Sequence, residues 1–477
     1  MDVFYKASAV TRCSDIIPFY ENGKFKPFYL KRWPPGYQGA DADPGWRMLE
    51  SDDLVRFEEY PTGIVGATGC VIKVDAVYHM FYCTLTPEAQ IIHHATSINL
   101  REWEKHPEDS FRPDDHYYAM SDWRDAFVFF NEDEQKWWML VCAAQKNAPT
   151  KRKGCIGLCI SDDLKHWEYR PPFYAPGFQQ SALECPDLFR MGDWYYLIYS
   201  CATEKFQTYY RMSHSVNGPW IAPPVDSFDG RAYYAAKTAF DGEKRYLFAW
   251  SPAKEYNTLQ FNPQFYPGKD YHAWDHGGTM VVHRLLQRED GTLCVTLPES
   301  VGAVFAYEKK MPFKLLQGEW THEDGRYLCQ SPYGYGCALL GSIPEVCRLE
   351  MKVRFTERTT QFGIAAEVDE SFSEGYYFSF QPTRQRVEWR SAIRMYEQGA
   401  VRLPYEVELE RPVQLEAGRE YRLTLIHQRD LMVLYFGDEI ALCTREFDFS
   451  ARKFGLFVEN GQVEFSQIRL TLTEPEE

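Results

Sequence analysis

A strand of alternating aromatic and apolar residues recurs five times in the first 250 residues, at 26–30, 78–83, 137–142, 194–199 and 245–250. A second signature follows several copies: Ser51-Asp52-Asp53-Leu54 before Phe57, Ser97-Ile98-Asn99-Leu100 before Trp103, and Ser161-Asp162-Asp163-Leu164 before Trp167. The stretch 213–220, from Ser213 to Trp220, reads as a degenerate fourth. A repeat made of a strand, a polar turn and another strand cannot bury its apolar face alone, so copies must stack on one another. Short strands parted by Asp, Gly and Asn turns continue to about residue 300, and no convincing amphipathic helix interrupts them. Five copies predict an all-β chain beginning with a five-bladed β-propeller over residues 1–305, its innermost strands lining a central channel.

Three carboxylate-bearing segments precede three of these strands: Cys13-Ser14-Asp15-Ile16-Ile17-Pro18, Trp123-Arg124-Asp125-Ala126 and Glu184-Cys185-Pro186-Asp187. Asp15 stands fourteen residues before Tyr29, Asp125 fourteen before Met139 and Glu184 thirteen before Leu197. A single acid at a strand end ordinarily caps a turn, and an Arg-Asp dipeptide is ordinarily a surface pair. Their shared place in separate repeats sets these three apart. Side chains delivered in register to the mouth of one channel meet in space.

Glycoside hydrolysis needs such a meeting, with one carboxylic acid to protonate the leaving oxygen and one carboxylate across the anomeric carbon. Mutual repulsion within the cluster would keep one group protonated near neutrality. Glu184 is the acid candidate, because its side chain reaches further and Pro186 stiffens the strand entry. Asp15 is the nucleophile candidate. Asp125, beside Arg124, suits a carboxylate that accepts hydrogen bonds from two adjacent sugar hydroxyls. Trp33, Trp46, Trp123 and Trp274 flank irregular segments near the expected mouth and are candidates for ring contact, as are His272 and His276. Trp137-Trp138 and Tyr195-Tyr196 read as blade core, and the basic run 146–153 as a solvated loop.

A net charge of −16 argues against nucleic acid and anionic membrane surfaces as partners. No apolar run resembles a signal peptide or spans a bilayer. The thirteen cysteines show no tight metal-ligand spacing; Cys83, Cys142 and Cys201 each end an apolar strand, as buried thiols do. These features predict a cytoplasmic protein. Beyond Phe305 the alternation changes: 348–355 places Leu349, Met351, Val353 and Phe355 on one face, and 421–427 and 431–436 alternate about a Gln428-Arg429-Asp430 turn. Segments 454–458 and 463–465 are expected to form a hairpin through Asn460-Gly461. Residues 306–477 therefore predict a β-sandwich without a catalytic motif, serving as support or as glycan contact.

The segments Glu-Cys-Pro-Asp-Leu-Phe at 184–189 and Trp-Arg-Asp-Ala-Phe-Val at 123–128 resemble the acid/base and arginine–aspartate signatures of glycoside hydrolase family 32, the β-fructofuranosidases. Trp46 followed by Ser51-Asp52-Asp53-Leu54 is similar to that family's Trp-Gly-His-Ala-Val-Ser-x-Asp-Leu stretch. Thr68-Gly69-Cys70 with Tyr78-His79-Met80-Phe81-Tyr82 resembles its next blade, and 274–293 the close of its propeller. The likeness spans most of residues 13–300, and a C-terminal sandwich is also what the family supplies. It implies Asp15 as nucleophile, Glu184 as acid/base and Asp125 as transition-state stabiliser. It also implies Arg124, Trp46, Thr68, Cys70 and Trp274 as substrate-binding residues, a small carbohydrate as substrate, and no metal or organic cofactor. The first motif departs from Trp-Met-Asn-Asp-Pro-Asn-Gly, since Arg12-Cys13-Ser14-Asp15-Ile16-Ile17-Pro18 keeps only the Asp; Leu30, Ala126 and Cys70 depart too. The implied reaction is release of terminal β-D-fructofuranosyl units from sucrose or fructo-oligosaccharides. The alternatives are an arabinofuranosidase- or xylosidase-like propeller enzyme, a fructosyltransferase, and a non-catalytic glycan-binding propeller.

Overall fold

The computed structural model describes residues 1–33, 37, 45–86, 88–180, 183–203, 205–254, 269–271, 274–391 and 409–475; His272 lies outside them. The architecture is all-β, with one five-residue α-helix, Glu299–Ala303, among the described residues. The chain divides into two compact units: Phe4–Pro252 with His276–Cys294, and Met1–Val3 with Ala253–Asp275 and Val295–Glu477.

The first unit is propeller-like. Antiparallel groups follow one another along the chain, opening with Arg12–Ile17, Ala67–Val74, Tyr118–Asn131, Glu184–Met191 and Tyr234–Phe240. Each opening strand lies against the opening strand of the next group, and the last lies against the first, so the ring closes. A ladder pair between Cys13 and Gly278 joins the first group to the last. Apolar faces stack between neighbours. Phe28, Trp46 and Met48 pack on Met80 and Leu100; Phe81 and Cys83 pack on Trp123 and Met139; Trp138 and Ile156 pack on Leu188 and Leu197.

The Ser-x-Asp-Leu repeat is a turn with a defined cause. Leu54, Leu100 and Leu164 adopt φ of 63°, 63° and 65°, a left-handed conformation that a bulky residue avoids. Ser51, Ser97 and Ser161 hydroxyls accept from those leucine N–H groups at 2.9, 2.9 and 3.0 Å, and each leucine is buried. Burial and the serine cap offset the backbone strain. Ser213 keeps a reduced form, accepting from Ser215 N–H at 3.1 Å.

The second unit is the β-sandwich, organised on the strand Lys453–Leu472. Its first part pairs with Gln361–Ala366, which leads on to Tyr376–Gln381 and Arg386–Ser391. Its second part pairs with Val346–Phe355, which leads on to Glu420–Gln428, Leu431–Phe436 and Ile440–Arg445. Leu349, Met351, Val353 and Phe355 are buried together as expected. The hairpin expected at Asn460-Gly461 is absent: the strand runs straight through. A two-residue hairpin turn of that kind requires positive φ at both central residues, and only Asn460, at 47°, has it. The pair instead marks where the strand changes partners, and a Cβ on Gly461 would sit 2.4 Å from Thr359 Cα. The units divide at Cys294/Val295 rather than after 305, and Arg348 Nη1 donates to the Gly302 carbonyl at 2.9 Å within the second unit.

Candidate active site

Four of the five opening strands share one irregularity, and it builds the site. In the first group Ser14 pairs with Leu30 and Ile17 with Phe28, so three steps on one strand match two on the other. The same bulge recurs as Arg124–Cys142 then Phe127–Leu140, Glu184–Ser200 then Asp187–Ile198, and Tyr234–Trp250 then Lys237–Phe248. The residue after the first partner is left-handed in all four: Asp15 (φ 47°), Asp125 (60°), Cys185 (51°) and Ala235 (57°). The extra residue of a bulge re-aims side chains at a strand end, and Asp tolerates left-handed backbone better than most residues.

Asp15 and Asp125 are therefore equivalent positions, and Glu184 stands one residue earlier, level with Ser14, Arg124 and Tyr234. The counts of fourteen, fourteen and thirteen residues do not measure this register, because the hairpin turns differ in length. Arg124, Glu184 and Tyr234 are level in three successive groups, and the outer two both bond Glu184. Arg124 Nη2 donates to Glu184 Oε1 at 2.7 Å, and the Tyr234 hydroxyl donates to Glu184 Oε2 at 2.5 Å. Arg124 Nη1 is itself held by Asp122 at 2.9 Å and Gln90 at 3.3 Å.

The three carboxylates lie in one electrostatic field, since the charges of Glu184 and Asp15 both act on Asp125. The Asp125 side chain is 4 % exposed and accepts from the Cys185 N–H at 2.9 Å, with Arg124 Nε at 3.9 Å. Burial pushes its carboxyl up to about 6; Arg124 opposes this, and the charges of Glu184 and Asp15 add to it. At Asp15, 13 % exposed, burial also pushes upward. There His276, whose Nε2 stands 3.6 Å from Oδ1, outweighs burial together with Arg32 and the Trp250 indole, and holds the carboxyl below its ordinary value. Asp15 is thus the more acidic of the two bulge aspartates.

An aromatic wall adjoins the carboxylates. Phe206 stacks on Tyr234 at 3.8 Å, Tyr234 meets Trp250 at 5.5 Å, and Trp250 meets His276 at 5.0 Å. In the sequence His276 stands out only as a pocket candidate, and Tyr234, Phe206 and Trp250 carry no signature of a site. The bulge register identifies Tyr234, since it precedes the strand 245–250 as Glu184 precedes 194–199.

Two of the other expected binding residues, Trp46 and Cys70, lie in the cores between groups. Trp46 is fully buried, its indole N–H donating to the Ala67 carbonyl at 3.1 Å, and it packs in the core between the first two groups. Cys70 lies in the next core with Phe81 and Met139, where burial pushes its thiol up to about 11. Both are corrections: aromatic and small apolar residues on a blade strand fill the space between sheets. Thr68 is buried, and its hydroxyl has no hydrogen-bond partner among the described residues. Trp274 belongs to the second unit, under the Lys254 ammonium at 4.4 Å. Ser14 is buried with its hydroxyl toward the Leu30 carbonyl at 3.5 Å, and Arg12 is buried.

Two expectations follow directly. Tyr234→Phe removes the hydroxyl that bonds Glu184, a change of about 0.5–1.5 kcal/mol, so turnover should fall about two- to tenfold with KM little altered; steady-state kinetics check this. Asp125 holds its proton more tightly folded than unfolded, so its stabilising contribution is complete below about pH 4 and is lost as pH rises through about 6. Asp125→Asn should therefore raise stability by up to about 3 kcal/mol at pH 8 while the two proteins converge at pH 4. Denaturant unfolding at both pH values decides it; an equal gain at pH 4 would refute the cause.

A family model described as the glycosyl hydrolases family 32 N-terminal domain matches residues 17–295. Solved structures show the same fold. An exo-inulinase of Aspergillus awamori has a TM-score of 0.69 at 15 % identity, covering 98 % of both chains. A GH32 β-fructofuranosidase of Bombyx mori has 0.66 at 16 %, covering 100 % of this chain and 94 % of its own. A sucrose-6-phosphate hydrolase of Lactobacillus gasseri has 0.65 at 16 %, covering 96 % and 90 %.

Proposed function

The chain belongs to glycosyl hydrolases family 32 and is a glycoside hydrolase; from that premise we propose that it releases terminal β-D-fructofuranosyl units from sucrose or short fructo-oligosaccharides with net retention. The supporting observation is that the charges of Asp15 and of Glu184, the latter clamped by Arg124 and Tyr234, both act on the buried Asp125.

In the first step an Asp15 oxygen attacks the anomeric carbon while Glu184 gives its proton to the glycosidic oxygen, so the C–O bond breaks and the alcohol leaves. Asp125 accepts hydrogen bonds from the furanose hydroxyls, and its Cys185 N–H contact fixes the receiving oxygens. In the second step Glu184 takes a proton from water, the hydroxide attacks the same carbon, and the ester to Asp15 breaks. The Phe206–Tyr234–Trp250 wall offers an apolar surface to the sugar ring. The five opening strands read as five blades of the propeller. Structures similar in fold have been solved with sucrose, for the Bombyx mori enzyme, and with 1-kestose, for fructan 1-exohydrolase IIa of Cichorium intybus. Thirteen buried cysteines, none of them in a disulfide, support a reducing, cytoplasmic setting.

The test is incubation with sucrose, 1-kestose and 4-nitrophenyl arabinofuranoside, following the first-formed anomer by NMR. Fructose released as the β-anomer is expected. Inverted product, or cleavage of the arabinofuranoside alone, rules the reading out.

A further inference from the structure

The sandwich unit buries three groups that glycoside hydrolysis does not use. Glu367 follows the strand Gln361–Ala366 with a left-handed φ of 54°, His427 lies in Glu420–Gln428, and Glu446 follows Ile440–Arg445. One side-chain ligand atom from each lies within 4.8 Å of the others, and the residues are 1, 0 and 7 % exposed.

Proton counting shows what is missing. His427 Nδ1 is 3.0 Å from the Pro344 carbonyl oxygen, which only accepts, so Nδ1 carries the proton. The Nε2 of the neutral ring is then a lone pair 2.8 Å from Glu446 Oε1, another acceptor. A proton on one of these atoms, or a cation, must stand between them. A second ring proton would satisfy that contact alone. Glu367 Oε2 accepts the Arg452 N–H at 2.6 Å, but Glu367 Oε1 and Glu446 Oε2 have no hydrogen-bond partner among the described residues. One proton leaves both oxygens desolvated and unpaired. One divalent cation engages all three side chains and cancels both carboxylate charges.

We propose that Glu367, His427 and Glu446 hold a zinc ion. Zinc accepts imidazole nitrogen at about 2.0–2.1 Å and carboxylate oxygen at about 2.0–2.2 Å, with a water completing four ligands. An Nδ1–H bond to a backbone carbonyl is the outer contact that orients a metal-bound histidine. Calcium and magnesium take oxygen donors and leave the imidazole unused. Glu367 comes from the strands on the first part of Lys453–Leu472, and His427 and Glu446 from those on its second part. The ion therefore ties the two arms of the sandwich together.

The full-length chain, produced in zinc-supplemented medium and gel-filtered, should carry one zinc per chain. Removing it with a chelator should lower Tm by several degrees, and zinc should restore it. Cobalt in its place should give the visible d–d bands of a four-coordinate nitrogen–oxygen site, an effect no ion pair produces. Glu446→Gln and His427→Asn should each drop the metal content to background. A wild-type chain without stoichiometric zinc and with Tm indifferent to zinc and chelator overturns the site, as does undiminished zinc in Glu367→Gln and His427→Asn. Should the variants fail to fold, the metal content and cobalt spectrum of the wild type decide alone.

Discussion

Asp15→Asn is expected to lower turnover on every accepted furanoside by at least about 10⁴-fold, which is the scale seen when a covalent nucleophile is removed. That factor corresponds to about 5.5 kcal/mol of transition-state stabilisation. The amide keeps the size of the side chain and the left-handed backbone at φ 47°, so the fold should be retained. KM should change little, because Asn still accepts a hydrogen bond in the ground state. Stopped assays on sucrose at high enzyme concentration measure the residual rate. A variant retaining more than about a hundredth of the wild-type rate would remove Asp15 from the chemistry.

Glu184→Gln is expected to cost about 10³-fold on sucrose, in the range of a lost general acid. Gln still meets Arg124 and Tyr234, so the loss reports the proton rather than the clamp. An aryl fructoside with a good leaving group needs no such proton, and on it the formation of the ester should be nearly as fast as in wild type. The ratio of the two losses is the measurement. Equal losses on both substrates would make Glu184 a positioning residue.

The repeat made the architecture legible, because five similar strands admit few closed arrangements. It also drew attention to Asp15 and Asp125, which share one bulge seat, although the residue counts do not measure that register and Glu184 stands one position earlier. What stayed hidden has physical causes. Tyr234 and Phe206 belong to a chain with so many aromatics that composition cannot tell a wall beside the site from blade core. Trp46 and Cys70 matched a motif, yet their strands turn those side chains into the space between sheets. Asn460-Gly461 has the composition of a turn, but backbone dihedrals, set by the paired strands on each side, decide whether the chain reverses.

Because the left-handed kink recurs where the residue is Cys185 or Ala235 as well as where it is Asp, the main chain rather than the carboxyl group fixes the geometry of that seat. Each seat can then be refilled independently, so selection is able to exchange the reagents around the axis without rebuilding the frame that presents them. A carboxyl group installed at Ala235 would begin from the same main-chain conformation as Asp15 and Asp125, and reactivity in this frame is a matter of which seats are taken.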